Sequence, residues 1–379
     1  MSIDFIAHSQ LAQRNSALLS HIEEDAKTRK VCAPSLLAHP AALEVEAATH
    51  ALFERAQAAY RGDRQSLRFT IAVGPKTVAN AFAYWLGAHG DWVVLTSGLI
   101  DLLWTESLKL DRLTLLVQDE LIGNFACGKS LRSTPSRTTE GGSAFRELLF
   151  STGLAFFIGH ELGHLLDGHS SSYIRGNTKA KAFNGSDENA RLRKQALELR
   201  ADRFGVEYAM RFALIRLSNG IYVHEPTKAE QAHLQAQAAY VATLGMCLAA
   251  AMLRPKPVDF RKYLGADHPP SAVRALWLSS EAISRMSEWL PLIDEDTMRH
   301  ISISALAQVN AMALLPYDRV LDRFESEVSK ERVLLAMRET GIRKLIFDDA
   351  ELPSYVETMK VMDAELHPIL QAHQRKLRR

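Results

Sequence analysis

With 379 residues, 47% of them hydrophobic and 23% charged, the chain holds enough apolar material for a sizeable core, which excludes a disordered protein as the default. A formal net charge of +1 provides no field to gather a polyanion, so nucleic acid is not an expected partner. Cys32, Cys127 and Cys247 are too few and too scattered for a disulfide framework or a thiolate metal site, and they fit a reducing compartment.

The first residues, Met1 to Gln10, carry Asp4 and His8 and lack the basic start and apolar run of a secretory signal, so a cytoplasmic location is expected. Helix-compatible spacing runs through 9–30 and 40–60. The β-branched and aromatic runs 67–73 (LRFTIAV) and 92–96 (WVVLT), with 78–83 (VANAFA) between them, then predict a small sheet. Helical spacing resumes over 99–126 until 128–143, rich in Gly, Pro, Ser and Thr, predicts a mobile loop. A helix over 144–167 follows, then a polar stretch at 170–187 and a second helix at 189–217. From 227 onward the pattern is helical, with breaks at Pro255, Pro257, Pro269, Pro270 and Pro291.

These elements predict a mainly α chain with a small β-sheet, an α+β architecture. It divides into an N-terminal helical region (1–65), a core (66–280) that holds the candidate site residues, and a C-terminal helical region (281–379). The uncharged stretch Leu234 to Leu253 approaches the roughly 20 residues that span a bilayer. Gln235, Gln237 and its many alanines weaken insertion, so a buried core helix is expected and a membrane is not. The basic end Arg375, Lys376, Arg378 and Arg379 reads as a solvated helix terminus.

Chemistry concentrates in the helix at 144–167. His160-Glu161-Leu162-Gly163-His164 is an HExxH segment, and helical spacing of four sets both imidazoles on one face, where they can converge on one cation. Glu161 is rotated by about 100° from His160, which suits a base that reaches water held by the metal without itself being a ligand. A third ligand is needed. Glu198-Leu199-Arg200-Ala201-Asp202 on the next helix supplies two carboxylates spaced i, i+4: Glu198 completes a His2Glu set with one position open, and Asp202 can accept the free N–H of a ligating imidazole. The bland alternative is a solvated carboxylate pair with Arg200 and Arg203. The HExxHxxGxxH pattern fails, because its Gly and His positions are held by Asp167 and Ser170 while Gly168 and His169 fall one place early. His169 is expected to pack beside the ligands or hydrogen-bond to one of them. Ligand chemistry favours one Zn²⁺ per chain, with cobalt or manganese able to substitute in vitro.

HELGHLLDGH (160–169), ELRAD (198–202), NAFA (80–83), VVLTSGLIDLL (93–103) and HPPSAVRALWL (268–278) occur in the order seen in the gluzincin peptidases of the CaaX prenyl endopeptidase and HtpX type, and the chain resembles that family. The resemblance implies a zinc-dependent endopeptidase acting on protein or peptide substrates, with a substrate strand lying against Asn80, Ala81 and Phe82. It also implies His268, supported by Arg274, as a donor to the charge that develops on the carbonyl oxygen. The chain departs from the family in the extra sequence between Leu103 and His160 and in lacking evident flanking membrane helices, so a soluble member is expected and prenylated substrates are not. A fainter resemblance is to Lit, a cytosolic HExxH phage-exclusion peptidase. The remaining alternative is a non-catalytic helical binding protein braced by zinc, which would normally close its shell with four protein ligands.

Overall fold

The computed structural model describes residues 16–59, 67–85, 90–121, 143–167, 169, 188–221, 226–253, 271–314 and 351–377. Its helices are α1 (Ser16–Ala26), α2 (Ala42–Ala59), α3 (Ser97–Leu121), α4 (Ala144–Leu166), α5 (Glu188–Ile221), α6 (Lys228–Leu253), α7 (Ser271–Trp289), α8 (Glu295–Leu314) and α9 (Glu351–Leu377). Its strands are β1 (Val31–Cys32), β2 (Leu67–Ala72), β3 (Ala81–Trp85) and β4 (Asp91–Thr96). The α+β expectation holds: helices dominate, beside one small mixed sheet.

The sheet has the order β1-β2-β4-β3, with β2 and β4 parallel and both flanking pairs antiparallel. All six residues of β4 are buried, which accounts for an unbroken apolar run where a half-exposed strand would alternate. One face of the sheet carries Phe69, Ile71, Val93 and Leu95 into the main core. The other carries Trp92 and Val94 onto Leu18 and Ile22 of α1. The third strand begins later than the sequence suggests. Val78 closes a turn by donating its N–H to Pro75 O (3.0 Å), and Asn80 is held by the Thr96 hydroxyl, so pairing starts only at Ala81.

The main core gathers side chains from α2 to α8, among them Phe53, Leu103, Phe156, Met246, Met286 and Ile301. Helix α6 is long and apolar enough to cross a membrane, but 89% of its most apolar window is buried inside the fold. Helix α4 is the central element. Ser143 caps it by accepting a hydrogen bond from Arg146 N (3.1 Å), and nearly every residue along it is buried. Two glycines let α5 lie directly against it: a Cβ on Gly159 would stand 2.7 Å from Tyr208 Cβ, and one on Gly205 would stand 2.7 Å from the Phe156 ring. Such distances are well inside van der Waals contact, so these positions need glycine. Polar anchors reinforce the packing. Buried Glu44 of α2 accepts from Arg216 of α5 (2.7 Å) and from the Ser151 hydroxyl of α4 (2.8 Å). The fold thus holds the helix of ELRAD close beside the helix of HExxH.

Candidate metal centre

His160 and His164 lie on the last two turns of α4, and Glu198 faces them from α5. Their potential ligand atoms all fall within 4.8 Å of one another. His160 Nε2 is 3.1 Å from His164 Nε2 and 3.4 Å from Glu198 Oε2, and His164 Nε2 is 3.5 Å from Glu198 Oε1. Three tetrahedral ligands bonded at roughly 2.0–2.2 Å to one ion stand about 3.3–3.6 Å apart. Two imidazole nitrogens and a carboxylate oxygen at this spacing form a donor set that fits a divalent cation. The arrangement also agrees with the helical spacing of the two motifs.

Each imidazole is oriented from behind. His160 Nδ1 donates to Asp202 Oδ1 (2.8 Å), and this carboxylate, fully buried, also accepts from Arg274 of α7 through Nε (2.8 Å) and Nη2 (2.5 Å). With its Nδ1 proton committed to Asp202, His160 turns Nε2 towards the cluster, where loss of the Nε2 proton frees a lone pair for a metal. On the other side, His164 Nδ1 stands 3.0 Å from His169 Nδ1, and His169 Nε2 stands 3.0 Å from Asp167 Oδ2. One tautomer set satisfies all three residues: the Nδ1–H of His164 donates to His169, and the Nε2–H of His169 donates to the Asp167 carboxylate. Arg200 in turn donates to Asp167 through Nε (2.6 Å) and Nη2 (3.3 Å).

The electrostatics follow from these contacts. Burial disfavours the charged form of His160, but the hydrogen bonds to Asp202 and Glu198 outweigh it and hold its pKa up at about 9. His164 is pushed well below its ordinary value, above all by burial. Burial works to raise Asp167 and Asp202, yet both sit below the usual carboxylate range, Asp167 because of His169 and Arg200 and Asp202 because of Arg274 and His160. A consequence concerns pH. A metal must displace the His160 proton, so apparent zinc affinity is expected to rise about tenfold per pH unit from near neutrality and to level off near the His160 value of about 9. The linkage in the metal-free protein has the opposite sign: stability from protonated His160 is full below its unfolded pKa of about 6.5 and is lost as pH climbs through about 9. Chelator-competition titrations at three pH values check the first statement, and a flat profile contradicts it.

Glu161 is buried on α4. Burial raises the pKa of Tyr84 on β3 and Asp202 raises that of Arg274 against burial, and the Glu161 charge adds to both shifts. Asn80 is exposed just ahead of β3 and Ala81 is buried. The Phe82 ring stacks on Tyr84 (6.0 Å between centroids) and packs against the α1 side of the sheet. His268 lies outside the described residues, as do Cys127, the stretches 128–142 and 170–187, and the prolines at 255, 257, 269 and 270. The residues that sequence reasoning missed are Asp167 and Arg200 as supports of His169. His169 itself was expected beside a ligand, and that position carries the only early signal of the arrangement.

The family model of peptidase family M48 matches residues 43–184. That stretch runs from α2 through HExxH and stops before Glu198, so the third carboxylate is located by the geometry independently of the match. No curated protein and no solved structure matches the chain. The match supports a metallopeptidase, a hydrolase of protein or peptide bonds.

Proposed function

We propose that the chain is a zinc-dependent endopeptidase of the M48 type. The observation that carries this reading is the convergence of His160, His164 and Glu198, three potential ligands that leave room for water in a tetrahedral shell. In this reading they hold the zinc, with Asp202 and His169 fixing the tautomers of the two imidazoles. Bound there, zinc supplies Lewis acidity, polarising the scissile carbonyl and lowering the pKa of water. Glu161 takes a proton from the attacking water as its oxygen bonds to the carbonyl carbon, then delivers that proton to the departing amine nitrogen as the C–N bond breaks.

Strand β3 lies at the edge of the sheet and packs on α4, which favours an extended substrate segment added alongside it. Backbone hydrogen bonds would then supply much of the affinity, and locally unfolded protein would be the substrate class. The test is cleavage of an unfolded protein such as casein by the purified chain, abolished by a zinc chelator and restored by added zinc. Cleavage that persists after complete chelation would contradict the proposal.

A further inference from the structure

Arg200 does more than complete the surroundings of His169. While Nε and Nη2 hold Asp167, its Nη1 donates to Asp363 Oδ1 of α9 (2.8 Å), and Asp363 Oδ2 accepts from Arg203 Nη1 (3.1 Å). The exposure falls steadily inward along this line, from 24% for the Asp363 side chain and 13% for Arg200 to 4% for Asp167 and 2% for His169. A guanidinium is a planar fork of fixed donors, so pinning Nη1 also sets the plane in which Nε and Nη2 meet the buried carboxylate. Asp167 then fixes the tautomer of His169, whose Nδ1 accepts the hydrogen bond from the His164 Nδ1–H.

We propose that Asp363 is a positioning residue for the metal centre: through Arg200, Asp167 and His169 the C-terminal helix α9 orients His164 and thereby sets the affinity for metal. This inference rests on the zinc-peptidase reading. It gives α9 a role at the centre although α9 contributes no ligand. Without the Asp363 carboxylate, Arg200 Nη1 loses that anchor, the guanidinium can turn, and its hold on Asp167 loosens. His164 then ligates from a ring free to tilt.

The competing explanation is that Asp363 merely docks α9 on α5. The same two helices carry a further ion pair, Arg193 Nη2 to Glu365 Oε2 (3.6 Å), which does not use Asp363 or Arg200 and so provides the control. Full-length protein carrying Asp363→Asn, Asp363→Glu or Glu365→Gln is compared with wild type. The readouts are zinc affinity by chelator competition, the visible spectrum of the cobalt-substituted protein, and the melting temperature without metal. Replacing a direct partner of a ligand typically weakens metal about 10–100-fold, so Asp363→Asn, acting from further out, should weaken zinc about three- to tenfold and alter the cobalt spectrum. Glu365→Gln should leave both unchanged, and Asp363→Glu should recover most of the affinity. Asp363→Asn within about twofold of wild type, or equal losses in Asp363→Asn and Glu365→Gln, overturns the proposal. Absence of zinc binding in wild type would be a different result, the failure of the peptidase reading itself.

Discussion

Glu161→Gln is expected to lower kcat on an unfolded protein substrate by about 10²–10⁴ while leaving zinc content and melting temperature at wild-type values. The substitution keeps the size and shape of the side chain but removes its negative charge and its ability to take up a proton. Because Glu161 follows His160 on α4, and because the nearby Nε2 and Oε atoms belong to His160, His164 and Glu198, the amide leaves the ligand set intact. The helix is buried along this stretch, which makes a rearrangement that recruits another base costly. Steady-state kinetics beside elemental analysis check this. Activity within about tenfold of wild type would assign the proton transfer to another group.

Asp202→Ala is expected to cost about 3–5 kcal/mol of stability and to weaken zinc about 10–100-fold. Both effects come from one carboxylate. Asp202 is fully buried, and its removal leaves the 5%-exposed Arg274 as a charge without its counterion and His160 without the acceptor that fixes its tautomer. The two consequences can be separated. Replacing Asp202 by Leu together with Arg274 by Met removes the stranded charge and should recover most of the stability, since an apolar pair of similar volume often matches a buried ion pair. Metal affinity should stay low, because His160 still lacks its partner. Thermal unfolding and chelator competition on the single and double variants test this, and recovery of both quantities together would contradict the division of roles.

The elements legible in the sequence are those whose signals are local. The expected helix at 144–167 matches α4 at Ala144–Leu166, since a capping serine and a long apolar run mark both its start and its burial. HExxH and ELRAD lie on adjacent helices as their spacing implied. The start of β3 was not legible, because it depends on the Thr96 hydroxyl holding Asn80, a contact across the sheet. Pro368 lies inside α9, a position where sequence rules predict a break. The supports of His164 were least legible. Arg200 and Asp167 are 33 residues apart, and Arg200 and Asp363 are 163 apart, so neither pairing leaves a periodic trace. The arginine within ELRAD reads from sequence as solvent-facing, and only the packing of α4, α5 and α9 reveals that it supports the site.

The central claim is that His160, His164 and Glu198 bind one catalytic metal. The most direct test is elemental analysis of purified wild type beside Glu198→Ala after zinc reconstitution and removal of loosely bound ions. The account predicts about one zinc per chain in wild type and loss of most of it in the variant, as expected when one of three protein ligands is removed. A well-folded wild-type protein that retains no zinc, or a Glu198→Ala protein that retains it in full, would contradict it.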